Sequence, residues 1–197
     1  MIFQPRTYGV LIVSSSEKFV SATKELLPMT DYWPVEAAES AGAARRRLLM
    51  RDFDIVIINS PLTDEFGTQL AEDITAEYSS AVLLLTRGEV YEDVFYKVLV
   101  SGVASLPKPI NAHTMETALR ILSAERERLR KSEEKRVSVE EKIEEIRLVN
   151  RAKWALIEKS GLTEEEAHRH IEKLSMDKRI SKSAAAKLII NNSESLS

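Results

Sequence analysis

The chain has 197 residues, of which 44% are hydrophobic and 30% charged, and its formal net charge is -3. It has no cysteine, three scattered histidines and no apolar run near the roughly 20 residues that span a bilayer, and we expect no secretion signal at its start. This composition excludes disulfides, thiol catalysis and a Cys-ligated metal. It predicts a cytoplasmic globular protein without cofactor, metal site or membrane segment.

The charge is distributed unevenly along the chain. Residues 1–111 carry 10 Lys and Arg against 15 Asp and Glu, a net -5, whereas residues 112–197 carry 18 against 16, a net +2. Within residues 147–190 the local charge is +4, which suits a polyanionic partner. We therefore expect the two parts of the chain to have different functions.

Residues 1–111 alternate between short apolar runs and segments of helical periodicity. Three runs rich in β-branched residues or leucine lie at 10–13, 55–58 and 81–85, and weaker ones lie at 33–37 and 103–106. Nearly continuous apolar runs are typical of strands buried on both faces, and alternation of strand and helix predicts a parallel sheet. We predict an α/β domain of flavodoxin-like class with a five-stranded, parallel, doubly wound sheet.

This domain resembles the receiver domain of bacterial response regulators, but its site is degenerate. Receivers carry an acidic pair after the first strand and a phosphoacceptor aspartate at the end of the third; this chain has Ser14-Ser15 and Asn59 there. Thr86 and Lys108 match the family's hydroxyl and lysine positions. Because Mg²⁺ needs carboxylate oxygens and an amide cannot form an acyl phosphate, we predict no phosphorylation by the family route.

Two roles remain open for the degenerate site. Thr86 and Lys108 either hold loops together as relics or line a pocket for an unmodified anion or ligand. The position three before Lys108 is Ser105, where receivers usually hold an aromatic side chain that rotates on activation. The resemblance therefore implies that this relay is missing.

A long charged segment follows the first domain, with no proline or glycine from about residue 112 to 159. Glu, Lys, Arg and Leu dominate it, which predicts one continuous helix. Apolar residues at heptad spacing predict a parallel dimeric coiled coil over residues 112–146 with a weak polar middle. The alternatives are a solvated single helix or a helix folded back on the receiver-like domain. The predicted dimerisation residues are Leu122, Leu129, Val139, Ile143 and Ile146.

Residues 147–190 predict a small three-helix bundle, and residues 191–197 a disordered tail. Gly161 is expected to end the long helix, and Thr163 with Glu166 to form a capping box for the second. Ser181 or Ser183 is expected to cap a short third helix that ends near residue 190. The residues predicted to face inward from the second helix are Ala167, Ile171, Leu174 and Met176.

The motifs of this bundle are Arg-Ala-Lys at 151–153, Gly-Leu-Thr-Glu-Glu-Glu-Ala at 161–167, Ser-Met-Asp at 175–177 and Ala-Ala at 185–186. In this order and spacing they resemble the ANTAR domain of transcription antiterminators, with departures at Trp154, His168 and Ser175. The resemblance implies a non-enzymatic, dimeric regulator that binds RNA. Each ANTAR copy would bind one hairpin in a leader transcript and so block an overlapping terminator.

RNA recognition uses Lys and Arg to hold phosphates and flat side chains to stack on unpaired bases. Trp154 is the candidate stacking platform, although it alternatively packs in the bundle core. Any single candidate cation alternatively lies on a solvated face without RNA contact. The candidate phosphate contacts are Arg151, Lys153, Lys178, Arg179, Lys182 and Lys187.

Two functions of other classes compete with RNA binding. A DNA-binding response regulator would need a helix-turn-helix with polar groove-facing residues, and the predicted third helix is short and aliphatic. A pure interaction protein would dock a regulatory protein or ligand on its receiver-like domain and use the remaining residues only to dimerise. We expect such docking to accompany RNA binding.

Overall fold

The computed structural model describes residues 6–194, and the chain divides into two compact units, Met1–Lys131 and Ser132–Ser197. The first unit is α/β, and the second is helical throughout its regular structure. Within the described residues, no helix is both long enough and apolar enough to cross a membrane.

The first unit is built on five parallel strands in the order β2-β1-β3-β4-β5. All five predicted strands are confirmed. The central strands β1, β3 and β4 are almost fully buried, whereas the edge strands β2 and β5 are partly exposed. This difference explains why the edge strands have the weaker apolar runs. The strands are β1 Tyr8–Val13, β2 Tyr32–Ala38, β3 Ile55–Asn59, β4 Ala81–Arg87 and β5 Ala104–Lys108.

Helices cover both faces of the sheet, which confirms the doubly wound class. One apolar layer joins the sheet to α2, α3 and α4, and the other joins it to α1 and the start of α5. Burial of each Leu or Ile in these layers stabilises the fold by about 1.5–3 kcal/mol. The helices that pack on the sheet are α1 Glu17–Glu25, α2 Ala41–Met50, α3 Thr68–Glu77, α4 Tyr91–Leu99 and the start of α5 Ala112–Ser160.

The first turns of α5 belong to the core of the α/β unit. Met115, Ala118, Leu119 and Leu122 are between 1% and 8% exposed and pack against the sheet. Below them, Arg126 Nε donates to Asp54 Oδ1 at 2.9 Å. The spacing i, i+3, i+4, i+7 is shared by a core-facing helix and a heptad seam, so the sequence pattern fitted both.

The predicted coiled-coil seam is therefore corrected at its amino end. Leu122 is 3% exposed inside its own unit and is not available to a second helix. Over these turns the helix lies against the receiver-like sheet, which was the alternative left open by the sequence. Leu129 is half-buried, while Val139, Ile143 and Ile146 are exposed.

The second unit packs the carboxyl half of α5 against α6 Glu164–Lys178 and α7 Lys182–Glu194. Gly161 adopts φ +64° directly after α5, as predicted for a helix end. The capping box is confirmed: Glu166 N–H donates to Thr163 Oγ1 at 3.3 Å, and Thr163 N–H donates to Glu166 Oε2 at 2.9 Å. Its buried core consists of Ala152, Ile171, Ala185, Ala186, Ile189 and Ile190.

Two local predictions for this unit differ from the structure. Met176 is 77% exposed rather than inward, because it lies two residues after Leu174 and hence on the other side of α6. The third helix is longer than expected and continues through Glu194, since Ile189 and Ile190 pack into the core and hold its last turns. The prediction of a disordered tail over residues 191–197 is wrong for residues 191–194, which belong to α7. Residues 195–197 lie outside the described part of the chain.

Candidate nucleic-acid interface and the degenerate receiver site

The carboxyl ends of the central strands bring the predicted receiver-site residues together. Lys108 Nζ donates to Asn59 Oδ1 at 2.9 Å and to the carbonyl oxygen of Ser60. Asn59 Nδ2 in turn donates to Ser14 Oγ at 2.9 Å. An ionised aspartate only accepts hydrogen bonds, whereas the amide accepts and donates at once. Asn59 therefore links Lys108, at the end of β5, to Ser14, directly after β1, by accepting one hydrogen bond and donating the other.

The charge at this edge of the sheet differs from that of an acidic metal site. Burial lowers the pKa of Lys108, and the nearby Arg87 lowers it further. Both hydrogen-bond acceptors of Lys108 described above are neutral oxygens. Within residues 6–194, no three acidic or histidine side chains are grouped so that they could hold a metal ion. The described hydrogen bonds of Lys108 connect the end of β5 to Asn59 and Ser60.

The remaining predicted positions of this site are not joined to that link. Ser15 is exposed, and Thr86 is fully buried. Thr86 Oγ1 has no hydrogen-bond partner among the described residues. Tyr91, which the sequence did not single out, donates its hydroxyl to the carbonyl oxygen of Ser105 at 3.3 Å. The sequence around Tyr91 does not predict this contact, which depends on how α4 packs against β5.

In the helical unit, Trp154 lies away from the bundle core. Its side chain is 69% exposed, whereas Ala152 is buried and Leu148 and Leu156 pack against the core. Trp154 is two residues from Ala152 and so projects to the opposite side of α5. The alternative in which Trp154 packs in the bundle core is therefore wrong.

Two of the candidate phosphate contacts are engaged by carboxylates. Lys153 Nζ lies 3.2 Å from Glu164 Oε1. Lys182 Nζ lies 2.6 Å from Glu172 Oε1, and His168 Nε2 lies 3.3 Å from the same oxygen. The bond from Lys182, followed by the field of His168, lowers the pKa of Glu172. These two lysines brace the bundle and would have to leave their partners to bind RNA.

The other candidate cations are exposed. Lys178 and Arg179 lie where α6 ends, Lys187 lies on the outer face of α7, and Arg151 is exposed on α5. Arg179 caps α6 in the left-handed conformation at φ +52°. A side chain in that conformation costs about 1–2 kcal/mol, which a glycine would avoid. Positive charge is thus concentrated at the turn between α6 and α7. One of its cations, Arg179, stands in an unfavourable backbone conformation.

Comparison with known proteins identifies a domain family in the second unit and a related regulator. Residues 138–190 match the ANTAR domain model. The transcriptional regulatory protein PdtaR of Mycobacterium tuberculosis, from strains CDC 1551 / Oshkosh and ATCC 25618 / H37Rv, is 24% identical over 137 residues. That alignment covers 70% of this chain and 67% of PdtaR. The ANTAR match thus begins inside the segment 112–146, which was predicted as a coiled-coil linker.

Receiver domains are among the solved structures that are similar to this chain. The signal receiver domain of an HD domain-containing protein from Pseudomonas fluorescens Pf-5 has a TM-score of 0.56 and 26% identity, over 66% of this chain and 93% of that one. A CheY-like receiver domain protein from Methanospirillum hungatei JF-1 has a TM-score of 0.55 and 22% identity, over 64% of this chain and 99% of that one. Residues 138–190 thus match the ANTAR domain, and the first unit has the receiver fold, as the sequence predicted.

Proposed function

We propose that this chain is an RNA-binding transcription antiterminator that binds hairpins in leader transcripts as a dimer and is regulated without phosphorylation of its receiver-like unit. The ANTAR match over residues 138–190 carries the proposal. It coincides with a three-helix unit that has a buried core and exposed cations. The similarity to a protein described as a transcriptional regulator supports a role in transcription.

RNA binding is assigned to the cations of the helical unit. Lys178, Arg179 and Lys187 are exposed, and flexible basic side chains in such positions neutralise phosphates with release of counterions. Arg151 adds a cation on α5. Lys153 and Lys182 contribute less, because each must first exchange a carboxylate partner for a phosphate.

The link between Lys108, Asn59 and Ser14 supports the proposal of regulation without phosphorylation. The position of the phosphoacceptor is an amide that is already hydrogen-bonded on both sides. A regulatory protein or ligand that binds one oligomeric state better than the other would shift the balance between monomer and dimer. Acetyl phosphate with Mg²⁺ should leave the mass of the intact protein unchanged; a stable phosphoprotein would refute this part of the proposal.

RNA binding is tested with the full chain in gel shifts. An RNA carrying two stem-loops should bind more tightly than duplex DNA of equal length. The double variant Lys178→Gln/Arg179→Gln should bind that RNA more weakly, because it loses two phosphate contacts. The matched control, Arg46→Gln/Lys97→Gln, removes the same charge from exposed positions of the α/β unit and should bind like the wild type. Preference for duplex DNA, or equal loss in both variants, would contradict the proposal.

A further inference from the structure

A cleft opens at the carboxyl edge of the sheet, where the chain leaves β4 and β5. Its volume is about 380 Å³, a size that is typical of small-molecule sites. Two cations line it, Arg87 at the last position of β4 and Lys108 at the last position of β5. The cleft thus combines positive charge with apolar side chains. Its other lining residues are Phe19, Gly88, Glu89, Pro109 and Ile110.

The two cations are register partners on neighbouring parallel strands. Side chains at paired positions of adjacent strands project to the same face of a sheet, so the two positive charges lie side by side. Burial lowers the pKa of Lys108, and the charge of Arg87 lowers it further, which shows that the two groups repel each other. An anion bound between them would offset this repulsion, because it would attract both cations at once.

No carboxylate of residues 6–194 forms an ion pair with either cation. Lys108 donates to neutral oxygens of Asn59 and Ser60. Glu89 lines the cleft, but it is exposed and is not within ion-pair distance of Arg87 or Lys108. Other arginines of the same unit are matched, as Arg45 is by Glu65 and Asp73. The two positive charges of the cleft are therefore available to an anion from solution.

An apolar surface continues from these cations along α1 and towards the start of α5. Phe19 of α1 and Ile110, which precedes α5, line the cleft and are half-buried. The same two side chains also line a second hollow of about 240 Å³, together with Leu26 and Met115. An inorganic ion would leave this surface in water, whereas an apolar group attached to the acid would cover it.

We propose that the cleft binds a small organic anion, with its acidic group between Arg87 and Lys108 and its apolar body against Phe19 and Ile110. Carboxylates and phosphate monoesters share this chemistry. The site lies beside the phosphoacceptor position, because Asn59 is bonded to Lys108 but does not line the cleft. The inference goes beyond the proposed function, since binding at the α/β unit does not require RNA.

The first test titrates the full chain with phenyl phosphate, inorganic phosphate and phenol at low salt, with backbone amides followed by NMR. Phenyl phosphate should bind at least about tenfold more tightly than either fragment, because it alone carries both the anion and the apolar body. Its shifts should centre on Phe19, Gly88 and Ile110. Unmoved cleft amides, even where the basic turn at residues 178–182 responds, would overturn the proposal. Equal affinity for either fragment would do the same.

Two variants with opposite expected effects test the charges of the cleft. Arg87→Gln removes one cation and should weaken the binding of phenyl phosphate at least about fivefold at low salt. Glu89→Gln removes the carboxylate that lines the cleft and should strengthen binding about two- to threefold, which a folding defect cannot imitate. The control Arg46→Gln neutralises an exposed arginine on α2 and should bind like the wild type. Wild-type affinity in Arg87→Gln, or no gain in Glu89→Gln, would contradict the proposal.

The repulsion between the two cations also predicts the stability of the free protein. In thermal unfolding of the full chain at low salt, Arg87→Gln should raise the Tm by about 1–3 °C, because Lys108 loses a like charge beside it. Phenyl phosphate should raise the Tm of the wild type more than that of this variant, because the wild type offers both cations to the anion. A lower Tm for the free variant, or an equal rise with phenyl phosphate in both proteins, would remove this pair as the acid-binding group.

Discussion

Single residues decide how the receiver-like unit can work. The sequence showed that Asn59 stands at the phosphoacceptor position, because the strand ends and Lys108 align the chain with the receiver pattern. The sequence could not show that Asn59 joins Lys108 to Ser14, because the three residues lie at the ends of three different strands, far apart in the chain. Similarly, the sequence singled out Trp154 but could not tell core from surface, because either side of an amphipathic helix accepts an indole.

One residue-scale prediction concerns Asp64, which lies in the loop after β3 and caps α2. The N–H groups of Ala41 and Gly42 donate to its two carboxylate oxygens at 2.9 and 2.8 Å. The bond from Gly42, followed by that from Ala41, lowers the pKa of Asp64. A lowered pKa in the folded state means that this stabilisation is present above the unfolded pKa and is lost as the pH falls through the folded pKa.

The variant Asp64→Asn should therefore flatten the acid side of the stability curve. Thermal unfolding followed by circular dichroism should show the Tm of the wild type falling more steeply below about pH 4 than that of the variant. The control Asp52→Asn changes an exposed carboxylate that precedes β3 and should keep the wild-type slope. Parallel curves for Asp64→Asn and the wild type would show that the cap does not contribute through its charge.

At the scale of elements, the periodicity of apolar residues predicted the strands and helices well. It predicted less well which elements pack against each other. The five strands, the continuous α5, the capping box and the three-helix bundle followed from apolar spacing and cap residues. The partner of the first turns of α5 did not, because a sheet and a second helix select the same heptad-like spacing. The sequence predicted that α7 ends near residue 190, whereas Ile189 and Ile190 pack into the core and the helix continues through Glu194.

The position of α5 predicts different effects for two neighbouring substitutions. Leu122→Ala removes a side chain that is 3% exposed and should lower the free energy of unfolding by about 2–5 kcal/mol, because it leaves a cavity under the sheet. Ile121→Ala, at a position 62% exposed, should change it by less than about 0.5 kcal/mol. Urea unfolding measures both values. A similar small effect of both substitutions would contradict the packing of α5 against the sheet.

At the scale of the whole molecule, an acidic receiver-like unit and a more basic ANTAR unit share one continuous helix. The charge split predicted this division of function, and the ANTAR match supports it. The individual RNA contacts could not be derived from charge alone, because ion pairs such as Lys182 with Glu172 occupy some cations and leave others exposed. We propose that the exposed cations Lys178, Arg179 and Lys187 carry the electrostatic part of RNA binding.

The most direct test is the salt dependence of RNA affinity for the full chain. For the wild type, the logarithm of the association constant for a stem-loop RNA should fall linearly with the logarithm of salt concentration. Neutralising Lys178, Arg179 and Lys187 together should reduce that slope by about two to three, close to one for each phosphate contact removed. A slope that is unchanged in this triple variant, or a wild type that binds no stem-loop at low salt, would contradict the account.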